Sequence, residues 1–209
     1  MSREKEEKTG LEGRLRHERL EALTEGVFAI AMTIMVLDLK MPEGSSMSSS
    51  ELWIYVANQT DQFLNYGLSF VLLGIFWINH NKQFQRLRCT DIAHIWLNIG
   101  FLACISLVPY TTSLFDADSE DMTASALFAV NLFLIGFFHL LSWNHVVRRR
   151  LLAEDLDRGS VVRVRRLNLF VPAVSLVAFG LAFVTPRWSP AVYVTIPFLV
   201  HRLNVRTES

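Results

Sequence analysis

Long stretches of this sequence lack charge altogether, and much of the usual equipment for chemistry is missing as well. There are two cysteines, Cys89 and Cys104, with no metal-type spacing between them, so neither a structural disulfide nor a zinc site is expected. His139 and His145 are six apart and face different directions on a helix, which makes a metal pair there improbable. No Gly-rich phosphate loop, no nucleophile motif and no cluster of carboxylates interrupts the apolar runs. Enzyme activity, a cofactor and a metal are therefore not expected, nor is the acid relay of a proton-coupled carrier. The Thr-Val-Gly-Tyr-Gly loop that builds carbonyl-lined ion filters is absent too. A net charge of zero argues against nucleic acid as a partner.

What remains is hydrophobic: 51% of the 209 residues are apolar, with 15 Phe and 5 Trp. The basic residues sit in short clusters between apolar runs, whereas a soluble helical protein would interrupt such runs with a polar face. The fold class expected is all-α, a polytopic membrane protein with six transmembrane helices. The first run, Leu20 to Leu39, is about long enough to cross roughly 30 Å of hydrocarbon at about 1.5 Å per residue. It has no small-residue cleavage site and reads as a retained helix. A second run follows a Ser-rich loop whose last serine, Ser50, can cap it; its most apolar part is Phe63 to Ile78. The third spans about Ile92 to Leu114, with Pro109 expected to kink it. The fourth, Met122 to Val147, is capped by Asp121 or Thr123, and the fifth covers Leu167 to Val184 with Pro172 in its first turns. A shorter sixth opens at Ser189-Pro190 and runs to about Leu203. Residues 1–18 read as a mobile or surface-lying cytoplasmic segment, 19–203 as the six-helix membrane domain and 204–209 as a cytoplasmic tail.

Charge sets the orientation. Of the 20 Lys and Arg, 18 fall on one side of a six-span arrangement, leaving Lys40 and Arg187 on the other. By the positive-inside rule both termini are cytoplasmic. The opposite side carries Asp38, Glu43, Glu51, Asp61, Asp116, Asp118, Glu120 and Asp121, a negative face that would concentrate cations near an opening.

The first run has chemistry at its entrance. Arg19, Thr24 and Glu25 sit at or inside the membrane boundary, where a charge at mid-bilayer costs at least about 2.5 to 3.5 kcal/mol. Arg19 and Glu25, six apart, are poorly placed to pair with each other, so each needs a partner on another helix. The polar turn Asn79-His80-Asn81, joined by Trp77, is at the matching depth and would lock the first run against the second. In the other reading Arg19 marks the interface and His80 is an ordinary helix-end histidine. Further up, Ile30, Ile34 and Leu37, with Met41 beyond, share one stripe, and Ala22, Gly26, Ala29 and Thr33 form an adjacent stripe of small residues. Large residues facing lipid with small ones allowing close packing is one reading. In the other, the large stripe faces an axis between subunits and forms apolar rings that gate by dewetting, with Thr33 adding a hydroxyl. Asn98, Asn131 and His139 lie within apolar runs and read as interhelical hydrogen-bonders worth about 0.6 kcal/mol each.

The stretch RLEALTEGVFAIAMTIMVLDL resembles the first helix of the transmembrane protein 175 family, the endosomal, lysosomal and prokaryotic potassium channels, whose signature is Arg-x-x-x-Phe-Ser-Asp followed by a V-F-A-I-A-x-T-like run. FWINHNKQF and IWLNIGFLACISLVPYTTSL look like that family's second and third helices, so the resemblance covers roughly residues 15 to 115 well. It implies a six-helix prokaryote-type subunit assembling as a homotetramer in the lipid bilayer of a prokaryotic plasma membrane, with helix one lining the pore. The constriction then falls on Ile30, with Thr33, Ile34 and Leu37 on the same wall. The signature positions become Arg19, Leu23, Thr24 and Glu25, and the helix-two positions Trp77, His80 and Asn81. Leu23 replaces Phe, Thr24 replaces Ser and Glu25 replaces Asp, so hydroxyl and carboxylate chemistry survive while a ring is lost. The implied activity is passive conduction of potassium and other monovalent cations, with modest preference for potassium. A small secondary transporter and a non-conducting membrane scaffold are the alternatives that the residues leave open.

Overall fold

The computed structural model describes residues 2–39, 47–153 and 158–198, with side chains placed for 17–39, 47–153 and 159–198. Its elements are all helical among these residues: α1 (Ser2–Ile34), continued by a 3-10 turn (Met35–Asp38), α2 (Ser49–Asn58), α3 (Thr60–Phe84), α4 (Ile92–Ser106), α5 (Val108–Ala117), α6 (Met122–Arg149), α7 (Arg158–Ala182) and a 3-10 stretch (Pro186–Val194). Among the described residues, five segments are long and apolar enough to cross a membrane: His17–Asp38, Thr60–Phe84, Ile92–Ala117, Met122–Arg149 and Gly159–Ala182. The sixth expected span begins within the 3-10 stretch, and its residues 199–203 lie outside the described residues, as do Lys40, Met41, Glu43 and the tail 204–209.

Local chemistry places the boundaries. α1 does not begin near Arg19; it extends back through the charged residues to Ser2, so the amino-terminal segment continues the membrane helix. The cap of α2 is Ser48, two residues before the expected Ser50: the Glu51 carboxylate accepts from the Ser48 backbone N–H at 2.8 Å, and the Ser48 hydroxyl accepts from the Glu51 N–H in return. That reciprocal box satisfies two donors at once, which a serine at position 50 cannot do. The second run is two helices, α2 and α3, parted at Gln59. There the Thr60 hydroxyl donates to the Ala57 carbonyl at 2.6 Å and competes with the helical ladder.

The third run also breaks, at Leu107, between α4 and α5. Pro109 lacks the N–H that would continue the ladder, and the Leu107 N–H bonds three residues back to Cys104. α4 is capped by Asp91, which accepts from the His94 N–H at 2.8 Å, and α6 by Asp121, which accepts from the Ala124 N–H at 2.8 Å. Pro172 is in the interior of α7, because that helix starts at Arg158 and not near Leu167.

α6 and α7 are the most extensively packed pair. Gly136 allows it: a Cβ there would lie 2.7 Å from Cδ of Pro172 and 2.9 Å from a Val171 methyl, closer than side chains tolerate. The main apolar core gathers Phe28, Leu73, Phe101, Ile105, Leu132 and Ile135 from α1, α3, α4 and α6. A smaller one, Leu20, Phe84, Leu87 and Val146, closes the end where the basic links lie. There the links before α4 and before α7 are tied by backbone: Arg88 N–H donates to Leu151 O at 2.9 Å and Ala153 N–H to Arg86 O at 3.0 Å. α6 ends in a left-handed residue, Arg150 (φ 55°), after which the Leu151 N–H returns to Val146 O.

Candidate ion pathway and its polar anchor

α1 has two faces that differ in kind. Leu20, Thr24, Phe28, Ala31 and Met35 are buried, a stripe at the spacing of one helical face. The other face is left open by the subunit: Ile30 is 59% exposed, Ile34 44% and Leu37 77%, with Leu23 and Thr33 also exposed. Ile30 and Leu37 are separated by about 10 Å along the axis. Thr33 spends its hydroxyl proton on its own helix, donating to the carbonyls of Ala29 (2.8 Å) and Ile30 (3.0 Å), so only its lone pairs and methyl group face outward. Beside this stripe a groove of about 420 Å³ runs between α1 and α5, lined by Val27, Ile30, Ile34, Pro109 and Tyr110 and closed at one end by Asp38.

The buried face carries a polar anchor. Thr24 is fully buried and donates to Leu20 O of the preceding turn at 2.9 Å. Its only proton is thereby used, so towards α4 it accepts, from Asn98 Nδ2 at 3.1 Å. The Asn98 carbonyl oxygen then faces His80 Nε2 at 2.7 Å, and His80 must be the donor. The chain of bonds fixes a proton on Nε2. His80 is held by rings on both sides, stacked on Phe84 (centroids 4.3 Å) and Phe101 (5.1 Å), and is 3% exposed. His80 Nδ1 has no partner among the described residues.

The expected network is thus only partly assembled. Thr24 and His80 meet, but through Asn98 of α4, so α1 is locked to both α3 and α4. Arg19 and Glu25 are exposed, and among the described residues neither has a side-chain partner. Trp77 is partly exposed on the outer side of α3, and Asn81 is half-buried, its oxygen without a partner among the described residues. Asn98 was legible only as a generic interhelical hydrogen-bonder. The signal that would have singled it out is a buried hydroxyl and a buried imidazole with no complementary group on their own helices.

Two further histidines, His139 and His94, lie beside the rings of this anchor. His139 lies 6.1 Å from His80 and 5.5 Å from Phe101 between ring centroids. His94 is buried against Phe84, with its Nδ1 2.7 Å from the Thr90 hydroxyl. His145 does not approach His139; it pairs with Asp91, 2.9 Å from a carboxylate oxygen. Burial opposes the charge of Asp91, but the His94 N–H, the His145 ring bond and the neighbouring ring charges together hold its carboxyl below its ordinary value. Among the described residues no three His, Cys, Asp or Glu side chains converge as metal ligands. At the other end, Arg187 bridges Asp61 (2.6 Å) and approaches Glu120 (3.8 Å), while Asn65 donates to Asp116 at 2.6 Å.

A family model described as endosomal/lysosomal potassium channel TMEM175 matches residues 19–109, the part of the chain that holds the anchor and the exposed stripe. A potassium channel of Chamaesiphon minutus is 30% identical over 171 residues, covering 80% of this chain and 84% of the relative. The chain belongs to the TMEM175 family. Another relative, a potassium channel of a Chryseobacterium species, is 29% identical over 182 residues, covering 87% of this chain and 88% of its own. The human endosomal/lysosomal proton channel TMEM175 is 28% identical over 214 residues; the match covers 91% of this chain but 42% of the human protein. The fold agrees with the crystal structure of a lysosomal potassium-selective channel TMEM175 homolog from Chamaesiphon minutus at a TM-score of 0.78 and 26% identity, covering 90% of this chain and 98% of that one. The TMEM175 relatives described here are named as channels, not as enzymes.

Proposed function

We propose that this TMEM175 protein is a passive, potassium-preferring and weakly selective cation channel, formed by four copies whose α1 helices surround the pathway. The observation that supports it most is the unpartnered stripe Ile30, Ile34 and Leu37 on a helix whose opposite face is fixed in the subunit core. Lipid would accept the apolar stripe, but the exposed Arg19 at the start of the same face is better served by a hydrated pathway shared between symmetric copies. Ions would pass a narrow apolar neck, where partial dehydration sets the barrier and weak field strength keeps selectivity modest. Both termini are assigned to the cytoplasm of a prokaryotic plasma membrane, because the basic links gather at one end and the acids at the other.

The test is purified protein in liposomes under potassium and sodium gradients, with single-channel recording and the oligomeric mass measured in parallel. Unitary currents with a reversal potential shifted towards potassium, from a particle of four chains, are expected. Saturable, current-free exchange would replace the channel with a carrier, and no flux at all with a scaffold.

A further inference from the structure

A second site lies away from the pathway, between the ends of α3 and α7 on the basic side of the bundle. A cavity of about 310 Å³ opens there, within the range of small-molecule sites. Its charged lining is Lys82, Arg86 and Arg163, and among the described residues no carboxylate contributes to it. Its floor is neutral and polar: Gln83, almost fully buried, donates to the Ser142 hydroxyl (3.3 Å) and accepts from Asn168 Nδ2 (3.4 Å), so both groups are held in place. Arg86 is held as well, because its carbonyl is bonded to Ala153 N–H in the tie between the two links.

Three cations around one half-enclosed space repel each other. Burial and the charge of Arg163 draw the Arg86 guanidinium below its ordinary value. A folded protein that keeps such a cluster gains from an anion that neutralises it. The forked guanidinium groups match an anion with several oxygens, and the neutral amides add donors around it.

We infer that the cavity lined by Lys82, Arg86, Arg163, Gln83 and Asn168 binds a phosphate-bearing anion. It sits at the end of α3, where the membrane-spanning segment Thr60–Phe84 closes, with Val164 and Leu167 as the apolar part of its lining. The phosphate can therefore arrive on an anionic phospholipid or from solution. The chain's own nearest acids in sequence, Glu154, Asp155 and Asp157, lie outside the described residues, so occupancy by the chain itself is one of the results the test must detect.

The test is native mass spectrometry of the detergent-purified full chain titrated with phosphatidylglycerol or phosphatidylcholine, alongside thermal unfolding with inorganic phosphate. Retention of one phosphatidylglycerol per chain, preferred about tenfold over phosphatidylcholine, is expected if the source is lipid. A raised unfolding temperature with inorganic phosphate, without lipid preference, is expected if the source is soluble. In either case the double variant Arg86→Gln, Arg163→Gln should lose about tenfold in binding. Arg165→Gln with Arg166→Gln, which removes equal charge from α7 outside the cavity, should keep it. Equal loss in both double variants would reduce the effect to general surface charge and overturn the site. So would binding that the cavity variant leaves unchanged, or no binding of either probe to the wild-type chain, which is the result if the acidic link fills the space. The readout is binding, so the inference stands or falls independently of whether the chain conducts.

Discussion

The two faces of α1 are built on opposite rules. The buried face satisfies its one hydroxyl, Thr24, in a directed chain through Asn98 to His80, and surrounds it with rings. The open face carries Ile30, Ile34 and Leu37, left largely exposed by the described residues, and its one hydroxyl, Thr33, is turned back on its own backbone. One face identifies its neighbour by hydrogen-bond direction; the other presents only shape and hydrophobicity. A helix divided in this way is anchored on one side and free to meet copies of itself on the other.

The largest effect should come from breaking the open face. Ile30→Asn introduces a polar ring into the neck, and if that removes about 1.4 kcal/mol from the barrier, sodium leak rises about tenfold; an unchanged conductance and reversal potential would remove Ile30 from the pathway. On the buried face, Asn98→Leu leaves the His80 Nε2–H without an acceptor and removes the donor from Thr24, whose hydroxyl keeps its bond to Leu20 O. Interhelical bonds in membranes average about 0.6 kcal/mol, but a buried N–H orphaned together with a second lost bond should cost about 2 kcal/mol in unfolding measurements. Thr24→Val keeps the shape and deletes one acceptor, so about 1 kcal/mol is expected. A cost equal to that of Asn98→Leu would mean that the bond to His80 contributes nothing.

Arg19→Ala sharpens the contrast from the other direction. Arg19 is exposed in the subunit, so the change should leave subunit unfolding within about 0.5 kcal/mol while lowering tetramer recovery or current; full retention of both would make Arg19 a marker of the membrane boundary only. The smallest effect is acid-dependent. The Asp91 carboxyl is held below its ordinary value of 3.8 in the folded protein, so the unfolded chain takes up its proton first as pH falls. The stability Asp91 contributes is complete above that value and is lost as pH falls through the lower folded value. Asp91→Asn should flatten that part of a pH-stability curve while leaving neutral stability less changed than Asn98→Leu does.

Much of the architecture was legible because a bilayer punishes charge. The runs beginning at Leu20, Ile92 and Met122 correspond to three spans close to their observed bounds, and the absent N–H of Pro109 foretold the break at Leu107. What was not legible depended on which of several equivalent groups wins locally. Ser48 and Ser50 are both good caps by composition, and only Ser48 has Glu51 at the third position to reciprocate. The division of the second run at Gln59 turns on a Thr60 hydroxyl that many helices accommodate without breaking. In the site, the types of the residues were informative and their pairings were not. Thr24 and His80 were named as partners of α1 and α3, but their meeting requires an amide on α4 whose distance in sequence from Thr24 is 74 residues. No spacing rule reaches that far.

The tie between Leu87 and Leu152 has one more consequence. It is made from peptide groups, so it is indifferent to which side chains the two links carry. The separation between Arg86 and Arg88 in one link and Arg150 at the start of the other is therefore a property of the main chain. Substitution can retune the charge at that end of the protein, one residue at a time, without moving the helices that the links join.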